Sequence, residues 1–264
     1  MLEKMIEFFV SGFYFPGITS TGLLLGIGLG LAFGAIWLSG YWPPLFRKYW
    51  LWLVMASSAI LSWLAVAFIQ IPLQALVGQL LGHFWSQEIL VSWILVAGIP
   101  QILLSGLVQE GAKLIPIVFW WIRNKTDVAP KMGLVVGAIA GAGLGIFEAV
   151  WAHNTVFTSG WTWQVVETNG LVALMPFWER LSAVALHIAV SALAGYGLAK
   201  GWGWQFYLIA SFLHALTNYG VALLQSGILT VVQMEIYASV IALVVTGVAL
   251  WLRWRKSEKI VDYQ

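Results

Sequence analysis

The chain has 264 residues, is 61% hydrophobic and 9% charged, and carries a formal net charge of +2 at a mean hydropathy of +0.87. That composition excludes a soluble globular enzyme, and the slight basic excess sits in loops and does not point to nucleic acid. With no cysteine, neither disulfides nor thiolate metal sites can form.

Apolar runs of about 20 residues recur from end to end, the length that crosses about 30 Å of hydrocarbon as a helix. Short alternating segments of the barrel type are absent. The pattern predicts an all-α membrane bundle forming one domain over residues 1–264, with no soluble domain. Residues before Gly17 read as an interfacial amphipathic segment. They lack the charge pattern and small-residue cleavage site of a secretory signal. Seven crossings follow, roughly Thr19–Ser39, Tyr49–Pro72, Ile89–Ile122, Met132–His153, Trp178–Ala199, Trp204–Leu224 and Val232–Trp254. The third is too long for one straight helix, at roughly 50 Å. It contains Pro100 and Pro116, so it is either broken or split into two segments, one re-entrant.

Basic residues give the topology. Arg47 and Lys48 follow the first crossing, Arg123, Lys125 and Lys131 the third, Lys200 the fifth, and Arg253, Arg255, Lys256 and Lys259 the seventh. All fall on one side if each run crosses once. The positive-inside rule then places the N-terminus outside and the C-terminus in the cytoplasm. Counted from the cytoplasmic ends, Glu110, His187 and His214 lie roughly 16–18 Å deep, and Glu148 and Asn218 roughly 22–26 Å. Four helices therefore put polar groups into one layer. Ionisable groups at such depth are costly and mark a functional site by default.

Taken in chain order, Gln109, Glu110 and Lys113 come first. Glu110 and Lys113 are three apart and can pair on one helical face, in a turn that Pro116 should distort. The bland reading is an ion pair bracing a kink. Gly133, Gly137, Gly141 and Gly145 repeat every four residues and form a face for close helix packing. Glu148 lies near its edge, where Lys113 or Arg180 can neutralise it. Arg180 and His187 share a face that Ser191 continues, and His214 shares one with Asn218 and Ser211. A lone histidine in a bundle is most often an interhelical hydrogen-bond donor; two at matching depth facing two glutamates shift that balance. His83 and His153 fall near helix ends and are set aside.

The only aspartates, Asp127 and Asp262, lie outside the membrane, so an aspartyl dyad is absent. No His-Glu-x-x-His and no Gly-x-Ser-x-Gly occurs. What remains is a glutamate and histidine site that can activate water and stabilise an oxyanion. Glu110, His187 and His214 could alternatively hold zinc with an open position.

Four motifs in order carry a resemblance. They are Gln109-Glu110-Gly-Ala-Lys113, Gly141-Ala-Gly-Leu144-Gly-Ile-Phe-Glu148, Glu179-Arg180 with His187, and His214-Ala-Leu-Thr-Asn218. Over Val108–Gly220 this resembles the CAAX-protease and abortive-infection membrane peptidases, in particular their PrsW and YhfC branches. The resemblance implies an intramembrane endopeptidase of glutamic type in a bacterial or archaeal cell membrane, acting without a cofactor on membrane-anchored proteins or peptides. It makes Glu110 the base, His187 its partner, His214 and Asn218 the oxyanion donors, and Glu148 a second acid or base. Gln109, Lys113 and Arg180 are supporting residues. Gln109 stands where the family has a first glutamate, and Leu144 where it has an aromatic. Catalysis then runs through Glu110 or Glu148, or is absent, as in the related scaffold subunit of gamma-secretase. A proton-coupled transporter is a further reading, weakened because no internal repeat is visible.

Overall fold

The computed structural model describes residues 2–124 and 128–256. Lys125, Asp127, Lys259 and Asp262 fall outside the described residues. Among the described residues there is no strand, and seven helical segments are long and apolar enough to cross a membrane.

The amphipathic segment is helix α1 (Leu2–Ser11). It is docked on the bundle. Phe8 stacks on Trp63 at 4.6 Å between centroids, Trp63 Nε1 donates to the Phe9 carbonyl, and Trp151 Nε1 donates to Ser11 Oγ. The first crossing is α2 (Ser20–Ser39), capped by Thr19 Oγ1 accepting from the Gly22 amide.

The second crossing is longer than its sequence suggested. Helix α3 (Trp50–Ala65) runs into a π-helical turn (Val66–Gln70) and on through α4 (Ile71–Phe84). Pro72 had marked the expected end because it cannot donate to the ladder. The π turn absorbs that missing donor by changing the backbone register, with the Ile71 amide reaching the Val66 carbonyl, and the helix continues.

The third crossing is interrupted, ahead of both prolines. Helices α5 (Gln87–Ser92) and α6 (Ile94–Ala97) are short pieces separated at Trp93, and Gly98 separates them from α7 (Ile99–Asn124). Pro100 falls in the first turn of α7, where a missing amide costs nothing. Pro116 lies inside α7, which stays α-helical through it.

The fourth crossing, α8 (Pro130–Thr158), is the centre of the bundle. His153, set aside as a helix-end residue, is wholly buried within α8 between the rings of Phe33 and Phe177. The fifth crossing is reached through α9 (Trp163–Asn169) and a 3-10 turn (Gly170–Leu174), and is α10 (Met175–Ala199). Helices α11 (Gly203–Gln225) and α12 (Val231–Trp254) complete the fold.

The glycine stripe sets the position of α10 against α8. A Cβ on Gly137 would lie 2.1 Å from the Ser191 carbonyl oxygen, and one on Gly141 would lie 2.1 Å from that of His187. Only hydrogen fits there, so the two backbones touch. Gly143 approaches Met55 of α3 in the same way, and Gly30 approaches Ile146 and Val150 from α2. Helix α8 is therefore packed on three faces. Without a hydrophobic driving force between helices in lipid, such backbone-to-backbone contact is a main source of association.

The basic loops gather on one face of the bundle. Lys131 Nζ donates to the Arg255 carbonyl, Arg253 Nε to the Tyr41 carbonyl, and Arg255 to the Tyr196 hydroxyl. Trp50 stacks on Trp120 at 4.4 Å. These contacts join the loop after α2, the end of α7, the start of α8 and the ends of α10 and α12.

Candidate active site

Four helices deliver the polar layer. From α7 come Gln109, Glu110 and Lys113; from α8, Glu148; from α10, Arg180, His187 and Ser191; from α11, His214 and Asn218. Two close approaches bring them together. The α8–α10 seam sets His187 beside Glu148. A Cβ on Gly106 would lie 2.1 Å from the Ser211 carbonyl oxygen, which brings α7 onto α11 one turn from His214.

The contacts form one continuous chain. Lys113 Nζ donates to Glu110 Oε1 at 2.5 Å and lies 3.1 Å from His187 Nδ1. Since an ammonium only donates, Nδ1 is an acceptor and the His187 proton sits on Nε2. That nitrogen is 2.9 Å from Glu148 Oε2. Glu148 Oε2 also lies 3.5 Å from Arg180, which in turn is paired with Glu179. On the other side, His214 Nδ1 is 2.7 Å from Glu110 Oε1, and Ser191 Oγ donates to Glu110 Oε2 at 3.2 Å. A carboxylate only accepts, so His214 carries its proton on Nδ1 and leaves Nε2 free of that bond. Burial of these charges is tolerated because each is paired and hydrogen-bonded.

Glu110 and His187 do not touch directly; Lys113 bridges them. Glu110 and Lys113 are 1% and 0% exposed, whereas the Glu148 side chain is 25% exposed. A pocket of about 120 Å³ is lined by Gln109, Glu148, Arg180, His187, His214 and Asn218. Glu110 is behind its wall. Asn218 Nδ2 donates one hydrogen to Ser105 Oγ at 3.0 Å, and Gln109 Nε2 donates to Gln70 Oε1 at 3.0 Å. The pocket lies in the half of the bundle away from the basic loops, since its lining includes residues near the starts of α10 and α12.

This is a solvent-sized space inside a membrane bundle, walled by the carboxylates of Glu148, Glu179 and Glu235, the Arg180 guanidinium, two imidazoles and two amides. A model of the PrsW family of intramembrane metalloproteases matches residues 47–249, more than half of the chain. The chain belongs to that family. Membership in the PrsW family carries peptide hydrolysis within the membrane as its activity. The match also reaches beyond the motif-bearing core at Val108–Gly220 and takes in the second crossing and most of the last. Neither a curated protein nor a solved structure matches the chain.

The family description raises the question of a metal. Glu110, His187 and His214 each offer a ligand atom, and these lie within 4.8 Å of one another. Two imidazoles and a carboxylate suit zinc, which binds such atoms at about 2.0–2.2 Å. The space does not. Lys113 Nζ already stands against Glu110 Oε1 and His187 Nδ1. A dication bound to those atoms would overlap an ammonium in a low-dielectric interior. With Lys113 in place, the residues do not fit a metal.

One site residue escaped the sequence motifs. Glu235 of α12 lines the same pocket, is 3% exposed, and its Oε2 has no hydrogen-bond partner among the described residues. A lone glutamate in the first turns of the last apolar run was the available signal.

Proposed function

We propose that this PrsW-family chain is an intramembrane endopeptidase of glutamic type that uses Glu148 to activate water. The observation that carries the reading is the Glu148–His187 pair: it is the one carboxylate–imidazole contact of the array in which the carboxylate opens to the pocket. Glu110, first in line as the base by motif, is saturated by Lys113, His214 and Ser191. Its role here is to position His214.

In this mechanism a water in the pocket attacks the scissile carbonyl carbon, and Glu148 takes its proton. His187 Nε2–H holds the carboxylate in place. Negative charge developing on the carbonyl oxygen meets the second hydrogen of Asn218 Nδ2, beside the His214 ring that the Glu110 carboxylate holds through Nδ1–H at the pocket wall. Glu148 then returns its proton to the leaving amine as the carbon–nitrogen bond breaks. Every step uses side chains of this chain and water.

The order of the four motifs supports placing the chain beside the CAAX-protease and YhfC peptidases. The gathered basic loops support a cytoplasmic C-terminus and an outer N-terminus. The substrate is then a membrane-anchored polypeptide cut in the outer half of the bilayer. Gln109 favours a second reading, an inactive scaffold of the same fold. Cleavage of membrane-anchored polypeptides by the protein in liposomes separates the two. The wild type should cleave, and Glu110→Gln and His187→Ala should not. Absence of cleavage by the wild type over a broad set of anchored polypeptides would favour the scaffold.

A further inference from the structure

We propose that the groove between α4 and the broken third crossing binds an extended segment of a membrane-anchored polypeptide, and that a row of glutamines conducts that segment to the catalytic pocket. The inference rests on the peptidase reading and assigns it a substrate path.

The row is continuous. Gln109, in the wall of the catalytic pocket, donates to Gln70 Oε1 at 3.0 Å. Gln70 Nε2 lies 3.5 Å from Gln74 Oε1. Gln74 and Gln101 then exchange bonds across the two helices: Gln74 Nε2 donates to the Gln101 carbonyl at 2.8 Å, and Gln101 Nε2 to the Gln74 carbonyl at 3.3 Å. Gln101 forms one end of a groove of about 670 Å³, whose lining includes Gln79, His83 and Gln87. Gly78 and Gly82 keep the α4 side of the groove low.

The backbone is built around this row. The π turn at Val66–Gln70 ends on the glutamine that meets Gln109. A π-bulge is an uncommon feature that concentrates at functional sites. On the facing side the chain leaves its helix at Trp93, between the groove-lining Val91 and Ile94, and again at Gly98 in the groove wall.

The ligand follows from hydrogen-bond chemistry. A primary amide offers one acceptor and a donor pair, the same complement as a peptide bond. A peptidase must unwind its substrate, and an unwound backbone in lipid has nowhere else to satisfy its amides and carbonyls. The glutamine row can exchange bonds made with itself for bonds made with such a strand. Over the nine residues from Gln70 to Gln79 the helix rises about 13 Å, a length that about four residues of extended chain would cover. A purely structural zipper between α4 and α7 would need only the bonded glutamines. Gln79 and Gln87 line the groove as well, and no described residue bonds to their side-chain amides.

The absence of cysteine makes a clean crosslinking test. Gln79→Cys and Gln101→Cys would each be placed in a Glu148→Gln background, with Leu243→Cys on the exposed face of α12 as control. The probe is a synthetic transmembrane peptide with a Gly-Pro interruption in one half of its span, carrying one cysteine stepped along the interruption, in phosphatidylcholine liposomes. The expected result is crosslinking to both groove positions at every second peptide residue, the period of an extended strand, and none to the control. Crosslinking no better than the control, or with helical spacing, would overturn the proposal. Crosslinking does not depend on catalysis. Crosslinks together with an inactive wild type would support the groove and sink the peptidase reading. Cleavage by the wild type without crosslinks would do the reverse. As a second readout, Gln79→Leu at its exposed position should raise KM about tenfold with kcat unchanged; an unchanged KM would count against the groove.

Discussion

His187 Nε2 lies 2.9 Å from Glu148 Oε2, and it does so because a glycine on α8 allows the backbone of His187 to touch that helix. The Gly141 position leaves 2.1 Å between a would-be Cβ and the His187 carbonyl oxygen. The chemistry of the pair depends on that seam.

Widening the seam should therefore disable the site. Gly141→Ala puts a methyl where backbone already stands, and overpacking of this kind costs about 1–3 kcal/mol or more. The expected outcome is a lower melting temperature in detergent together with loss of cleavage. Gly28, with nothing within 4 Å of its Cβ position, is the control: Gly28→Ala should change neither.

Lys113 neutralises Glu110 in a wholly buried pair. Lys113→Met should destabilise the protein by about 3–5 kcal/mol, because it leaves a buried carboxylate unpaired. Adding Glu110→Gln should recover most of that stability, since an uncharged pair has no such deficit. It should not recover activity, because His214 loses its carboxylate. Thermal unfolding and cleavage measured on both variants and the wild type check both statements.

The shape of the fold was largely legible in the sequence, and so was the membership of the polar layer. Hydrophobic length gave the crossings, and ionisable groups within apolar runs gave Glu110, Lys113, Glu148, His187 and His214. Two things were not legible. A π turn has no residue signature, so Pro72 read as an end although the helix passes it. Which carboxylate faces the pocket depends on helix rotation, and the 3.6-residue repeat fixes relative faces but not the absolute rotation of each helix. Spacing alone therefore could not separate Glu110, behind the wall, from Glu148, in it.

Metal removal should have no effect. Zinc analysis of the purified protein should find well below one equivalent, and 1,10-phenanthroline should leave cleavage unchanged, because Lys113 Nζ holds the position between Glu110 and His187. Stoichiometric zinc with chelator-sensitive activity would show that Lys113 moves away from the arrangement described.

Topology can be read with single cysteines in a chain that otherwise has none. Ser226→Cys, after α11, should react with a membrane-impermeant maleimide added to intact cells. Lys200→Cys, on the face of the gathered basic loops, should react only after the membrane is opened. The reverse pattern would invert the proposed orientation.

The role of Glu148 as base is read most directly from the single-turnover cleavage rate of Glu148→Gln in liposomes, alongside its melting temperature. Loss of a general base typically costs about 10²–10⁴-fold, so a fall of that size with an unchanged melting temperature is the predicted result. A Glu148→Gln rate within about twofold of wild type, far short of the loss expected for a base, would contradict the account.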